Sequence, residues 1–496
     1  MANVKKNDLV EITIDDIGSS GEGIGKYEGY TLFVKDATVG DRALVKVMKT
    51  GKSYGFAKLQ SLIEPSPYRV EPRCPIASKC GGCQLQHVDY KKQLEYKENT
   101  VRNCLTRIGG FKNFSMEAIV GMEDPYYYRN KSQFPVARNK DGSISIGFYA
   151  GRTHTIIDTH HCYIAAEVNI DIIKVMREFI EEYHIEPYDE ENHKGLLRHI
   201  LTREGYKTGE VMVCLIINGK DISHKEELIS KLREIPGMKS ICLNINKDKS
   251  NVILGEKIIP LWGEPYITDY IGDIAYRISP ISFYQVNPIQ TKKLYDTALE
   301  YADLHGDEVV WDLYCGIGTV SLFLAQKAKM IYGVEIVPQA VEDAKINAKI
   351  NGIDNAQFLL GAAEEVLPTK YREDNIKADL IVVDPPRKGC EQSLLDTILS
   401  IGPKKVVYIS CDPATLARDL KYLCAKDYEI VKVKPVDQFG HSVHVETVVS
   451  LSHKNADSHI HVNIEFGEGD GKIPVDKIAQ KAEDYRPGER VTHKIS

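Results

Sequence analysis

From about residue 285 the chain falls into a strict alternation that few architectures accept. Short, nearly continuous apolar runs at 308–314, 330–335, 356–360, 380–384 and 405–410 alternate with longer amphipathic stretches, among them 319–329 and 338–351. Strands that are apolar along their whole length are buried on both faces, as parallel strands between two helix layers are. The pattern predicts an α/β, doubly wound, Rossmann-like domain over 281–452. In that topology ligands bind outside the carboxyl ends of the strands, so the residues that close each run are the ones to read for chemistry.

The first run closes on Asp312-Leu313-Tyr314-Cys315-Gly316-Ile317-Gly318. Gly316 and Gly318 let the chain turn tightly and let a ligand approach the backbone. The second run ends on Glu335, an acid placed to accept hydrogen bonds from both hydroxyls of a ribose. Ser321 stands where a dinucleotide fingerprint needs its third glycine, which disfavours a pyrophosphate. A later run ends on Asp384-Pro385-Pro386-Arg387; the prolines hold a rigid acid at the crevice. A dehydrogenase has no use for that acid, whereas a methyl-donor pocket does.

Cys411 follows the run 405–410, and Pro413 opens the next helix. A thiol at a helix N-terminus is expected to have a lowered pKa. The segment Asp437-Gln438-Phe439-Gly440-His441-Ser442-Val443-His444-Val445-Glu446 leads into an apolar strand at 447–451, with Glu446 either an exposed strand acid or a general base in a dry site. Uracil chemistry needs such a pair. A thiolate added at carbon 6 makes carbon 5 nucleophilic toward a sulfonium methyl, and a base must then remove the carbon 5 proton. The target base has to leave its stack to be reached.

Elsewhere the sequence is less specific. Residues 1–65 hold about five β-rich runs, including 10–14, 31–34, 42–48 and 54–62, punctuated by glycines. This pattern predicts a small β-barrel of a kind that often binds oligonucleotides. Residues 66–280 form a central α+β region, with an amphipathic helix at 171–183 and the group Cys74, Cys80 and Cys83. Cys162 follows beside His160 and His161. The chain has eleven cysteines, an odd count with no export signal, so a disulfide framework is not expected. Cys104, Cys214, Cys242, Cys390 and Cys424 sit in apolar or helical contexts and read as packing. The net charge of −7 argues weakly against nucleic acid. Even so, Lys91, Lys92, Lys97, Arg102, Arg107, Lys112, Arg129, Lys131 and Arg138 concentrate basic side chains, as a solvated face or an RNA-facing one. No apolar run is long enough to span a bilayer, and a cytoplasmic protein is expected. Residues 453–496 are polar and Gly-rich and read as an extension of unknown role.

The segments Phe283-Tyr284-Gln285-Val286-Asn287-Pro288, 312–318, 384–389, Ser410-Cys411-Asp412-Pro413 and His444-Val445-Glu446 together resemble the signature set of the RNA 5-methyluridine methyltransferase family. The resemblance implies Cys411 as nucleophile, Glu446 as base, and Gln285, Tyr314, Gly316, Gly318, Glu335 and Asp384 at S-adenosylmethionine. The barrel at 1–65 resembles the TRAM domain of the family's 23S ribosomal RNA branch. Cys74, Cys80, Cys83 and Cys162 resemble that branch's 4Fe–4S ligand set, with zinc the alternative. Residues 128–131 resemble a family RNA-contact stretch, and a monomer is the family's usual form. One departure is Gly440, where the family has proline, and it is expected to loosen the loop carrying His441. Two other classes compete. A radical methylthiotransferase also joins a TRAM barrel to iron–sulfur, but its C-x3-C-x2-C triad is missing here. A non-catalytic ribosome-assembly protein on the same scaffold would not need Cys411, Glu446 and Asp384. Within the family, transfer RNA is the alternative substrate to ribosomal RNA.

Overall fold

Strict period-2 burial shapes the N-terminus. In β1 (Leu9–Ile17), Val10, Ile12 and Ile14 point inward between exposed neighbours. With β2 (Gly23–Tyr27), β3 (Tyr30–Lys35), β4 (Arg42–Thr50) and β5 (Tyr54–Glu64) it closes a barrel in the order β1-β2-β3-β5-β4. Leu32, Val34, Val45, Val47 and Ala57 complete its core. The computed structural model describes residues 4–454 with the exception of 152; the expected extension lies almost wholly outside the described residues.

A connector carrying Cys74, Cys80 and Cys83 leads to α1 (Tyr90–Arg107), whose first turn is capped by the Asp89 carboxylate. The central region builds a mixed sheet from β6 (Lys131–Arg138), β7 (Ile144–Tyr149), β8 (Ile156–Asp158), β9 (Leu197–Glu204), β10 (Val211–Ile217), β11 (Met238–Ile245) and β12 (Lys257–Gly263). Its order is β12-β11-β10-β9-β6-β7-β8. α2 (Asn169–Glu182) and α3 (Lys225–Arg233) bury their apolar faces on it. A hairpin, β13 (Ile267–Ile271) and β14 (Ile274–Ile278), closes the region.

The remaining elements alternate as the sequence demanded: α4 (Pro288–Ala302), β15 (Val309–Asp312), α5 (Thr319–Ala325), β16 (Met330–Glu335), α6 (Pro338–Ile350), β17 (Ala356–Leu360), α7 (Ala363–Glu373), β18 (Leu380–Val383), α8 (Gln392–Ile401), β19 (Lys405–Ser410), α9 (Pro413–Cys424), β20 (Tyr428–Val436) and β21 (Glu446–His453). They form a sheet in the order β17-β16-β15-β18-β19-β21-β20. Only β21 runs against the rest among the described strands, pairing antiparallel with both β19 and β20. Each strand feeds two cores. Val310, Leu380, Val382, Val407 and Ile409 face α4, α5 and α6. Trp311, Ile381, Val383, Val406 and Tyr408 face α7, α8 and α9. The continuous apolar runs are the direct result.

Contacts cross the boundary that the sequence places at 280. Val101 and Leu105 of α1 pack in the α7–α9 core. Met116 and Val120 bridge to Val433 and Val436, extending the sheet beyond β20. Tyr276 and Ile278 of the hairpin join the opposite core. Among the described residues no helix is long and apolar enough to cross a membrane.

Candidate active site

The carboxyl ends of β15, β18 and β19 and the start of β21 meet at one edge of the sheet. β19 pairs with β21 so that Ser410 faces Thr447, which sets Cys411 and Glu446 one residue further on in adjacent strands. Asp412 caps α9, its carboxylate accepting from the amides of Ala414 at 2.9 Å and Thr415 at 3.0 Å, and fixes the turn that presents Cys411. Asp384 follows β18 directly, and Asp312 ends β15.

Burial and these acids together set the state of the thiol. Burial pushes the Cys411 thiol up to about 12, the nearby carboxylates of Glu446 and Asp384 push it the same way, and the Arg387 guanidinium opposes them. The lowering expected from the helix N-terminus is therefore overturned: a partial dipole charge is outweighed by desolvation and two acids. Glu446 is 3% exposed, so it is no surface strand acid; burial, then Asp384, raise its pKa, with Arg387 again opposing. Asp384 is raised by burial and by Asp312. Burial lifts Asp312 to about 6 although the Ser321 hydroxyl donates to it at 2.6 Å. Its other oxygen is buried without a partner among the described residues. A site with this many acids in so little water favours a bound cation. Asp312 and Arg387 lie in the motifs but were not among the candidate residues. Their signal, a charge at or just past a strand's carboxyl end, was the same one that marked Asp384.

The cofactor candidates occupy the adjoining turn. Gly316 and Gly318 adopt left-handed φ of +55° and +83°. A Cβ at Gly318 would meet Phe358 at 3.1 Å, whereas Gly316 borders open space. Glu335 accepts from the amides of Gly316 at 3.1 Å and Val337 at 2.9 Å, which holds the crevice open between β15 and β16. Gln285 is buried just ahead of α4, its carbonyl accepting from Asn130 at 3.0 Å. Tyr314 is half-buried beside Cys390 and Glu364, and burial raises its phenol.

The loop between β20 and β21 that delivers Glu446 is bolted to α1. Lys97, 1% exposed, pairs with Asp437 at 2.5 Å and donates to the Phe439 carbonyl at 2.9 Å. Tyr90 donates to Asp437 at 2.7 Å. The Gly440 carbonyl accepts from Tyr128 at 3.0 Å, and a Cβ there would meet Pro125 at 3.0 Å. His441 is buried, its amide donating to Gln93 at 3.1 Å. The expectation that Gly440 loosens this loop fails, because neighbours on three segments hold it.

The structure also redistributes the basic side chains. Lys97 is internal, and Lys92, Arg102 and Arg138 pair with Glu95, Glu98 and Glu186. Within 128–131, Tyr128 and Asn130 are buried, whereas Arg129 and Lys131 are half-buried. Arg129 and Lys131 line a cavity of about 280 Å³ together with Cys74, Cys80, Cys83 and Cys162. The four sequence-selected thiols thus come together. Burial pushes each upward, most strongly Cys83, to about 12. Among the described residues no three ligating groups converge on a single ion position. The amides of Gln84 and Leu85 both donate to the His441 carbonyl at 2.9 Å, joining the cysteine loop to the loop of Glu446.

Comparison with known proteins places the whole described chain in one family. The tRNA (uracil-5-)-methyltransferase family model matches residues 89–454, and the TRAM domain model matches residues 4–59. An uncharacterized RNA methyltransferase of Clostridium tetani is 51% identical over 451 residues, covering 91% of this chain and 97% of that one. Another, of Halalkalibacterium halodurans, is 52% identical over 455 residues, covering 92% and 99%. The crystal structure of Pyrococcus abyssi tRNA (uracil-54, C5)-methyltransferase in complex with S-adenosyl-L-homocysteine shares 29% identity and a TM-score of 0.72, covering 89% of this chain and 100% of that chain. With a family model matching residues 89–454 and relatives about half identical over nine-tenths of its length, the chain belongs to the tRNA (uracil-5-)-methyltransferase family and carries a TRAM barrel at its N-terminus.

Proposed function

We propose that this protein methylates carbon 5 of a uridine in 23S ribosomal RNA with S-adenosylmethionine as donor, through a covalent bond between Cys411 and carbon 6 and with Glu446 as the base. The observation that carries the reading is the meeting of Cys411, Glu446 and Asp384 at the carboxyl edge of the sheet, beside the open turn at Gly316. That crevice fits the donor: it has an unpartnered buried oxygen on Asp312, room at Gly316, and an excess of acid. Gln285, Tyr314, Gly316, Gly318, Glu335 and Asp384 would hold it. When bound, S-adenosylmethionine supplies a methyl group on a positively charged sulfur, and that charge suits the acids around it. Cys411, once deprotonated, adds to carbon 6, and the ring electrons move to carbon 5 as an enolate. After carbon 5 has gained the methyl, Glu446 takes its proton, the carbon 5–carbon 6 double bond returns, and the sulfur leaves. Arg387 offsets the negative charge that gathers on the acids and the sulfur.

We read the cysteine cavity as a site for a 4Fe–4S cluster rather than for zinc. Four thiols ring a space of about 280 Å³ rather than a point, and zinc draws its ligands to about 2.3 Å. Cys74, Cys80, Cys83 and Cys162 would hold the cluster, Arg129 and Lys131 would balance its thiolates, and it would fix the loop that grips His441. The barrel and this cysteine set favour ribosomal RNA; the likeness to the Pyrococcus enzyme favours transfer RNA as the second reading.

The test is a trap. Protein, S-adenosylmethionine and 5-fluorouridine-substituted ribosomal or transfer RNA should give an adduct that survives denaturing electrophoresis, since fluorine cannot leave carbon 5 as a proton. The expected adduct forms on ribosomal RNA and is absent from Cys411→Ala. An adduct on transfer RNA alone overturns the substrate, and none on either overturns the chemistry.

A further inference from the structure

One carboxylate outside the acid cluster ties together the segments that build the catalytic edge. Asp419 lies in α9 among Leu416, Leu420 and Leu423, which pack in the α7–α9 core, and it is fully buried. A carboxylate taken out of water is costly unless donors surround it. Here donors converge from three segments. The Cys390 amide donates to Oδ2 at 2.8 Å, the Tyr408 hydroxyl of β19 donates to the same oxygen at 2.7 Å, and Nε of Arg418 donates to Oδ1 at 2.8 Å. Arg418 also reaches over the loop that holds Cys390, donating to the carbonyls of Lys388 at 2.9 Å and Cys390 at 3.3 Å. Gly389 sits under this grip at φ +77°, and a Cβ there would meet Oδ2 of Asp419 at 2.6 Å. A side chain at 389 would push the carboxylate off the loop.

The loop under that grip, 385–390, carries Arg387. The Arg387 carbonyl accepts from Oγ1 of Thr415 at 3.2 Å, in the first turn of the helix that Asp412 caps directly after Cys411. The Arg387 guanidinium reaches the His444 ring at 3.5 Å, two residues ahead of Glu446. Arg387 therefore stands between the turn of the nucleophile and the segment of the base. Its side chain is exposed, and one long contact to a ring is a weak hold, so the backbone beneath sets where the charge stands. The charged groups that face the Cys411 thiol are Glu446 of β21, Asp384 and Arg387 after β18, and Asp412 at the cap of α9. Of these, Arg387 alone favours the thiolate.

We infer that Asp419 is a positioning residue for methyl transfer, holding the loop 385–390 so that the Arg387 guanidinium stands beside the Cys411 sulfur. The inference rests on the reading of Cys411 as nucleophile and goes beyond it in naming a residue that touches neither substrate nor donor. The direction of its effect separates position from plain charge. Asp419→Asn removes a negative charge, which acting through space would favour the thiolate. Its new amide nitrogen must face the Arg418 guanidinium or the Cys390 amide, and both of these only donate. The grip then opens, Arg387 leaves the sulfur, and the thiolate is disfavoured. Charge and position predict opposite signs.

The test reads the thiol itself. The full chain, without RNA or donor, is alkylated with iodoacetamide from pH 7 to pH 10, and mass spectrometry follows the Cys411 peptide apart from the other cysteines. The rate tracks the thiolate fraction. With the thiol near 12, that fraction climbs throughout the range, so a shifted pKa appears as a constant ratio of rates. A nearby opposite charge moves a pKa by about one to three units, and an exposed guanidinium belongs at the low end. Asp419→Asn should therefore react about ten-fold more slowly than the parent, as should Arg387→Met. Arg387→Met/Asp419→Asn should be no slower than Arg387→Met alone, because the clamp then has no charge left to place. Tyr408→Phe changes no charge and should slow alkylation in the same direction, which keeps the test open should Asp419→Asn fail to fold. Faster alkylation of Asp419→Asn overturns the positioning role, as do parent rates in both clamp variants or a further ten-fold loss in the double variant. The fluorouridine trap separates the two readings. If the parent forms the adduct and the clamp variants alkylate as it does, only the positioning role falls. If the clamp variants slow as expected while the parent forms no adduct, the positioning of Arg387 stands and the chemistry falls.

Discussion

A thiol held near 12 is almost wholly protonated at neutral pH, so Cys411 must be activated by what the site binds or gives up. The same neighbours that suppress it are the ones to manipulate. Glu446 and Asp384 raise the thiol and Arg387 lowers it, so single-turnover methylation should rise with pH as Cys411 deprotonates. Arg387→Met should move that rise to higher pH, and Glu446→Gln should move adduct formation to lower pH. Glu446→Gln should also stall after methyl transfer, leaving a methylated protein–RNA adduct on natural RNA, with turnover down about 10²- to 10⁴-fold. Unmoved pH profiles in both variants would refute this electrostatic account. Lys97 offers a second residue-scale measurement. Removing one partner of a buried pair leaves an uncompensated charge and costs about 3–5 kcal/mol, so Lys97→Met should melt far lower than the parent. Lys97→Met/Asp437→Asn should recover much of the loss in the same melting experiment, and no recovery would mean that packing, not charge, set the cost.

Elements were legible where pattern and packing coincide. The runs 330–335, 356–360 and 405–410 became β16, β17 and β19 without change, because each is a compact run of β-formers set off by the helices on either side. α5 stops at Ala325 rather than 329: the chain must turn back into β16, and the Lys329 amide already bonds Glu308. Site residues at strand ends were legible for the same topological reason. The Cys411 pKa was not, because it depends on acids from β18 and β21 that approach only in three dimensions. Lys97 looked like a surface cation, and its burial follows from Asp437, a partner hundreds of residues away. The cysteine connector shows what such a link implies. It grips His441 through Gln84 and Leu85, so damage there should reach the Glu446 loop before it reaches the donor crevice. Cys80→Ala, if folded by circular dichroism, should lose RNA affinity about ten-fold or more and keep S-adenosylhomocysteine affinity by calorimetry. Equal loss of both would show that the loop supports the whole fold instead.

At the scale of the whole molecule, Asp312, Asp384 and Glu446 concentrate an electrostatic cost where four strands meet. Burial is the first cause of each raised pKa. A carboxyl whose folded-state pKa lies above its unfolded value contributes its stability in full below the unfolded value and loses it as pH rises through the folded one. For Asp312 that window runs from 3.8 to about 6, and for Glu446 it opens at 4.5 and extends upward. Each unit of such a shift is worth about 1.4 kcal/mol. Other groups move the melting temperature as well, among them Asp41, whose pKa ends lowered by Arg69 and backbone amides against its burial. The informative quantity is therefore a difference between proteins. Glu446→Gln cannot ionise, so its melting temperature should match the parent's near pH 4 and exceed it by a few degrees at pH 8. Cationic S-adenosylmethionine should narrow that gap by compensating the parent's ionised acids, whereas S-adenosylhomocysteine, with a neutral sulfur, should leave it. Parallel melting curves from pH 4 to pH 8 would mean that Glu446 is already ionised in the folded protein, and a resident counter-charge, not the donor's sulfonium, would then have to balance the acids.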